Sequence, residues 1–478
     1  MQKITNKNKV SLFGPQNFSF NHQELQALKG QLEADGVTHC FAIYTDIHGV
    51  PKSKTNPISA FEKMAYGSEL FTVGAMDGMG LVGPQEDECA AVPDLNTLIR
   101  LPWDKTKAFF FGDLYYHGMP YQNDTRQILK RQLKLAEGKG YRFNLGFEPE
   151  FYVFRKREFQ NELKPLAEHR FQSICPAYDV HQTLQSFEFL EEMSSCLEQL
   201  GWGLFSFDQE GGHGQFEFDC QYSDALSMCD RFIFFRLMAR LVAEKHACMA
   251  SFMPKPFAND FRSGNHFNMS LEDLATGQNL FVMEPEGNEF AERYGIPMSK
   301  KGYHFVAGLL RHAPSIVAVC CPTYNSYQGL LAQGHMPDIS WAPVLIAYGR
   351  NNRSAMIRIP LNRSCVENRV PDISVNPYLA AALQLAAGFD GIEMELDPGE
   401  PLNENCYNLG MTELRRRGIS LIPRTLLHAL EAFEADSLVT DTFGAEFQRI
   451  YFEWKMREWN EGFYDINPEH RLKRLNFI

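Results

Sequence analysis

Between Leu145 and Phe154 the chain reads LGFEPEFYVF, an apolar, strand-like run that carries two carboxylates, Glu148 and Glu150. Residues i and i+2 of a strand point to one face, so both acids project together while Phe147, Phe151 and Val153 face packing partners. Like charges so close raise each other's pKa and resist burial unless a basic partner or a bound cation joins them. Two readings stand at this point: an exposed edge strand with a solvated acidic face, or a buried strand that serves a charged ligand.

Three other stretches bear on the choice. In FDQEGGHGQFEFD, Glu210 and Glu217 flank a Gly-rich turn, so a hairpin would bring both carboxylates to one mouth, although the glycines also suit a plain loop. In SGNHFNMSL, His266 and Asn268 have strand spacing on one face; a single histidine is more often a hydrogen-bonded structural residue than a ligand. The segment GRNNRSAMIRIPLNRSCVENRVPD holds Arg350, Arg353, Arg358, Arg363 and Arg369 around Glu367, suited either to an ion-pair network or to gripping phosphate with planar guanidinium forks. Pooled, Glu148, Glu150, Glu210, Glu217, Glu367 and His266 form a donor set for hard divalent cations, Mg²⁺ or Mn²⁺. Glu148 and Glu150 can then lie together if each faces a different ion.

At 478 residues the chain exceeds what one core serves, and two domains are expected. A Pro, Asn and Asp cluster at MPYQNDTRQ sets a boundary near residue 125. Residues 1–125 read as a small mixed domain with a helix at NHQELQALKGQLEADG and a strand at HCFAIYTDIHG; residues 126–478 alternate short strands with helices and end in a helical tail. Hairpins on one side and helices on the other suggest an α/β barrel or saddle-shaped sheet. TLQSFEFLEEMSSCLEQLG reads as one helix. The net charge of -13 argues against nucleic acid or an anionic membrane as partner. The polar N-terminus has no apolar core of a signal peptide, and no segment nears the roughly eighteen apolar residues of a membrane span. A cytoplasmic protein is expected, its eleven cysteines, none in CxxC spacing, serving as free packing thiols.

In chain order the motifs G-x-E-x-E, E-x-x-x-G-Q-x-E, G-x-H-x-x-x-S, N-R-x-x-x-x-R-I-P and E-x-R-x-P-D resemble the glutamine synthetase superfamily, from about residue 40 to the C-terminus. The resemblance implies an α+β fold, with an N-terminal β-grasp domain followed by a catalytic α/β barrel domain. It implies a homo-oligomer, a dodecamer of two stacked rings, with active sites between neighbouring subunits. One metal would be held by Glu150, Glu210 and Glu217, and a second by Glu148, His266 and Glu367. Asn268, Ser270, Arg353 and Arg358 would bind ATP and its phosphates, while Glu150, Gly264, Trp341 and Arg369 would meet the other substrates. Asp77, Arg353 and Arg369 would be catalytic, Asp77 reaching into the neighbour's site to deprotonate the amine. The implied reaction is ATP-driven amide formation: L-glutamate is phosphorylated on its γ-carboxylate and an amine then displaces phosphate.

Within the superfamily, stretches such as GSELFTVGAMDGMGLVGPQEDECAAVPDLNT, DLYYHG and WAPV resemble the branch of γ-glutamylmethylamide and γ-glutamylanilide synthetases. Three positions depart from the glutamine synthetase pattern. Asn268 stands at the second histidine of H-x-H, keeping hydrogen bonds but no charge. Trp341 stands where a flap glutamate shields the intermediate, and Gly329 stands where an arginine holds substrate, leaving Arg262 or Arg350 as replacements beside an altered loop, LAQGHMPDIS. Tryptophan offers an apolar wall, and an arylamine is already neutral, so an aniline-type acceptor is expected ahead of methylamine or ammonia. Trp341 as a mere packing residue is the plainer alternative. A non-catalytic sensor on this fold is the remote one, disfavoured by six intact candidate ligands and three arginines.

Overall fold

The computed structural model describes residues 21–80, 83–155, 164–167, 176–284, 286–330 and 341–465. The polar N-terminus and the loop LAQGHMPDIS therefore lie outside the described residues. The architecture is α+β, built on two sheets.

The first sheet has seven strands, with the order Pro51–Pro57, His39–Thr45, Lys107–Tyr116, Cys89–Pro93, Glu69–Phe71 along its main path. Strand alternation gives it two buried faces. Cys40, Ala42, Ala108 and Phe110 pack on Leu25 and Leu32 of the helix His22–Ala34, which Asn21 caps. Ile43, Phe109 and Phe111, on the opposite face, join the main core of the chain.

The second sheet has ten strands, running Leu204–Gln209, Gln215–Cys220, Tyr141–Arg155, Asn265–Asp273, Val366–Asn368, Ala355–Ile359, Leu345–Arg350 along its main path. These neighbours are antiparallel except the last pair. One face turns Phe147 and Phe151 onto Phe232 and Phe235 of the helix Ala225–Lys245. The other face carries Glu148 and Glu150, so the opening stretch is an interior strand with one apolar and one acidic face, and the edge-strand reading falls. The expected single helix over TLQSFEFLEEMSSCLEQLG is two, Val180–Gln185 and Phe187–Leu200, because Ser186 closes the first turn and opens the next.

A buried charge network links residues of the first sheet to the helices Thr125–Gly138 and Ala225–Lys245. Asp124 caps the helix Thr125–Gly138, and Arg126 behind it is 2% exposed. Its guanidinium grips Asp230 through Nε (3.0 Å) and Nη2 (2.9 Å), and donates to Asp113 (2.6 Å) and Asp94 (3.3 Å) of the first unit. Tyr378 adds a hydrogen bond to Asp230 at 2.6 Å.

Candidate functional site

The polar face of the second sheet opens into a cleft of about 530 Å³. Register builds it. Asp208 lies opposite Glu217, and Glu217 opposite Glu150. Two residues earlier on the same strand, Glu148 lies opposite His266. Asn268 then lies opposite Glu367, and Glu367 opposite Arg358. Cross-strand neighbours stand about 5 Å apart, so a row of polar and charged groups crosses the sheet obliquely, stepping two residues along the strand at Glu150 to Glu148 and again at His266 to Asn268.

Glu148 is fully engaged. Its Oε2 meets His266 Nδ1 at 3.0 Å, and its Oε1 accepts from Asn268 Nδ2 (3.0 Å) and Arg363 Nη2 (2.8 Å). Burial pushes its carboxyl up, but the His266 hydrogen bond and the charges of His266, Arg363 and Arg369 more than offset this and hold it well below the usual range. Burial lowers the pKa of His266, with Arg369 adding to the effect and the Glu148 hydrogen bond opposing it.

Glu150, Glu210 and Glu217 have no such arginine partners among the described residues. Burial and then Glu210 raise Glu150 to about 8, although Gly264 N–H donates to it at 2.8 Å. Burial also raises Glu210, which keeps an N–H from Gly211 at 2.9 Å, and raises Glu217 further, with Glu210, Asp219 and Glu150 adding repulsion. No Lys or Arg among the described residues forms an ion pair with Glu150, Glu210 or Glu217, whereas Glu148 and Glu367 have arginines. Buried carboxylates that repel one another and lack a counter-charge fit a cation. A second set fits one as well: donor atoms of Glu148, His266 and Glu367 lie within 4.8 Å of one another. Oxygen-rich ligands with one imidazole suit Mg²⁺ or Mn²⁺.

Glu367 is fully buried between Arg358 Nη1 and Arg369 Nη1, each at 2.5 Å. Arg358 also donates to Asn351 Oδ1 from Nε (3.0 Å) and Nη2 (2.7 Å). Arg353 lines the same cleft, and no hydrogen bond or ion pair ties its guanidinium to a described residue. Burial, and then Arg358 and Arg369, lower its pKa. A guanidinium without a partner among the described residues and pressed by two others suits an anion.

Gly264 passes directly over the acids: a Cβ there would lie 2.9 Å from His266 Nε2 and 3.0 Å from Glu150 Oε1. Trp341, Ala342 and Pro343 form a rim of the cleft, the indole 47% exposed and its backbone in the left-handed region at φ 56°. A Cβ on Gly329 would sit 2.8 Å from Arg262 Cβ, so Arg262 packs directly on the glycine. Its Nη2 donates to the carbonyls of Val370 (2.8 Å) and Pro371 (3.0 Å), while Arg262 itself lines the cleft and its Nη1 has no hydrogen-bond partner among the described residues. Arg350 is exposed and does not line the cleft. Ser270 lies opposite Asn144, two positions beyond Asn268 on its strand, and is not part of the lining. Asp77 is also absent from the lining; its side chain is 58% exposed, with His48 at 3.9 Å.

Sequence reasoning left some of the site unassigned. Arg363 donates to Asn268 Oδ1 at 2.9 Å as well as to Glu148, and so restores next to Asn268 the positive charge that asparagine lacks. Asp208 and Asp219 extend the acidic row, burial and then Glu148 raising Asp219 to about 7. Tyr178 and Phe261 add aromatic surface to the lining. An acidic i, i+2 pattern in FDQEGGHGQFEFD signals Asp208 and Asp219; no local signal marks Tyr178.

Comparison with known proteins agrees with this geometry. Residues 122–472 match the family model of the glutamine synthetase catalytic domain. The glutamate–methylamine ligase of Methyloversatilis universalis is 38% identical over 427 residues, covering 88% of this chain and 94% of that protein. The glutamine synthetase of Thermus thermophilus is 34% identical over 448 residues, covering 91% and 94%. Among solved structures, a GmaS/ADP complex matches with a TM-score of 0.85 at 32% identity, covering 94% of this chain and 99% of that one. An apo GmaS without ligand gives 0.82 at 33%, with the same coverage.

Proposed function

The chain belongs to the glutamine synthetase family, and we propose that it joins the γ-carboxylate of L-glutamate to a small primary amine, using ATP and forming γ-glutamyl phosphate. The observation that carries this reading is the single cleft in which the group Glu148, His266 and Glu367, its donor atoms close enough to share one cation, and the buried carboxylates Glu150, Glu210 and Glu217 lie beside Arg353, whose guanidinium has no ion-pair partner among the described residues.

The γ-carboxylate oxygen attacks the terminal phosphorus of ATP, and the bond to ADP breaks. The amine nitrogen then attacks the acyl carbon, phosphate leaves with the bonding electron pair, and one proton passes from nitrogen to a base. Arg353 grips the transferring phosphoryl group, and Arg358 and Arg369, held in place by Glu367, add positive potential as charge develops. Glu150, Glu210 and Glu217 would hold one Mg²⁺ or Mn²⁺ ion and Glu148, His266 and Glu367 another, their chemistry being charge neutralisation on the phosphates. Gly264 leaves room for the γ-carboxylate to approach. Asp77, exposed and outside its own chain's cleft, serves as the base for a neighbouring copy, in a ring-stacked dodecamer in the cytoplasm.

For the acceptor we place methylamine ahead of aniline, reversing the order drawn from Trp341. Support for this order comes from the 38% identity to a glutamate–methylamine ligase along nearly its full length. One observation favours an arylamine: the half-exposed Trp341 indole at the cleft rim, facing solvent where a flat ring could stack. The test is ADP release with L-glutamate, ATP and Mg²⁺, comparing methylamine, ethylamine, ammonia and aniline, with mass analysis of the product. A γ-glutamylmethylamide mass is expected; product with aniline alone restores the arylamine order, and no amine-dependent release ends the ligase reading.

Cation binding makes a second prediction. Glu150 has a folded pKa of about 8, above its unfolded value, so the folded state binds the extra proton. Its contribution to stability is present below about pH 4.5 and is lost as pH rises to about 8. A divalent ion replaces that proton. Mg²⁺ or Mn²⁺ is therefore expected to raise the melting temperature more at pH 8 than at pH 6, and EDTA to reverse it. An equal shift at both pH values would contradict the assignment of these acids to a cation.

A further inference from the structure

We propose that His48 is a positioning residue for Asp77, a neutral imidazole whose Nε2–H is placed to catch the carboxylate, once it turns, in the orientation that receives the amine. This inference rests on the reading of Asp77 as the amine's base, and it names a residue that neither the motifs nor the cleft includes.

His48 sits on a tightly built turn. Asp46 Oδ1 accepts from the backbone N–H of His48 (3.0 Å) and of Val50 (2.9 Å), closing an Asx turn. The turn is tied to the main body from two directions: Arg236 Nη2 donates to the Gly49 carbonyl at 2.7 Å, and Asn376 Nδ2 to the carbonyls of Asp46 (3.3 Å) and Ile47 (3.2 Å). The Asp77 loop is laid onto this turn. Ile47 N–H donates to the Asp77 carbonyl at 3.2 Å, and at Gly78, with φ +64°, a Cβ would lie 2.5 Å from Ile47 Cδ1. The Tyr121 hydroxyl donates to the Met79 carbonyl just beyond. The main chain on both sides of the pair is thus fixed, while the Asp77 carboxylate itself stands 58% exposed.

The ring's hydrogen-bonding state follows from its other neighbour. Lys455 Nζ lies 3.3 Å from His48 Nδ1, and an ammonium can only donate, so Nδ1 accepts and the ring proton resides on Nε2. That nitrogen faces Asp77 Oδ2 at 3.9 Å. Lys455 is almost fully buried and is itself held by Glu458 at 3.0 Å, whose other oxygen accepts from Tyr324 N–H. Trp454 stands edge-on to the ring at 6.4 Å. Burial, with the charges of Lys455 and Lys52, depresses the imidazole to about 3, which agrees with the neutral form.

Neutrality is what suits the role. An imidazolium would form an ion pair with Asp77 and reduce its basicity, whereas a single neutral N–H restrains the side chain and leaves its charge for the incoming amine. At 3.9 Å the contact is longer than a hydrogen bond, and a small rotation of the exposed carboxylate closes it when the amine arrives.

The experiment is steady-state kinetics with methylamine on the full chain, comparing wild type, His48→Ala and His48→Gln, with melting temperatures for each. ADP formed from glutamate and ATP without amine is followed in parallel. His48→Ala is expected to raise the amine KM roughly tenfold, the scale of one hydrogen bond to a charged group. It leaves the KM values for ATP and glutamate and the amine-independent ADP unchanged. His48→Gln, whose Nε2 amide places a donor at the same distance along the side chain, recovers most of the loss. An unchanged amine KM in His48→Ala overturns the proposal. So does a rise in all three KM values together with a lowered melting temperature and no recovery in His48→Gln. If wild type shows no amine-dependent ADP release at all, the ligase reading fails and this one falls with it.

Discussion

Replacing Arg353 with methionine is expected to cut amine-dependent ATP turnover by about 10³-fold, the scale of losing an arginine from a phosphoryl-transfer site. The same change leaves the melting temperature unchanged or slightly higher. The two signs come from one fact. Arg353 makes no hydrogen bond or ion pair with a described residue and lies beside Arg358 and Arg369, so in the absence of an anion it contributes repulsion. Sites that hold unsatisfied charge for a ligand are functional at some expense of stability. The carbonyl of Arg353, which accepts from Arg369 Nε at 3.1 Å, survives the substitution, so the neighbouring guanidinium stays in place. Turnover and melting temperature measured on the same preparation check the claim. A falling melting temperature with turnover kept would make Arg353 a structural cation instead.

Arg126→Met is expected to do the opposite: to destabilise the fold by about 3–5 kcal/mol, as breaking a buried pair from one side does. Asp230 would remain buried without its cation, Asp113 would keep only its second partner Lys130, and burial already pushes Asp230 upward even with Arg126 in place. Methionine fills the stem volume but supplies none of the four hydrogen bonds. The effect reads out as a lower denaturant midpoint at unchanged slope. A loss below about 1 kcal/mol, typical of surface pairs, would show that Lys130 or an altered protonation of the aspartates compensates.

Much of the site was legible because strands simplify the problem. With period two, Glu148 and Glu150 had to share a face, as did His266 and Asn268, and the Gly-rich turn had to return Glu217 toward Glu210. Those relations are local. What was not legible depends on which strands are neighbours, and here the main path joins segments separated by a hundred residues or more, as with His266 opposite Glu148. No spacing rule predicts that Arg363 would reach Glu148, since it lies in a turn whose direction is set by the fold. Arg262 shows the converse. Its charge and position suggested a substrate-binding arginine, and it does line the cleft, but one arm of its guanidinium, Nη2, is engaged by main-chain carbonyls that only the folded wall at 369–371 presents. The two helices around Ser186 were merged for a similar reason: both halves have helical periodicity, and the break is a one-residue backbone event.

The row of charged groups also bears on the order of events when the chain folds. Its members come from six separate strands, and all but Asp208 on the edge strand are placed only when the pairing on both sides has closed. Pairings between distant segments are slow to find because loop closure precedes any gain. Helices such as Ala225–Lys245 need no such search. Secondary structure therefore returns first on refolding, and cation-dependent activity returns in the last kinetic phase, so no partly folded intermediate can consume ATP.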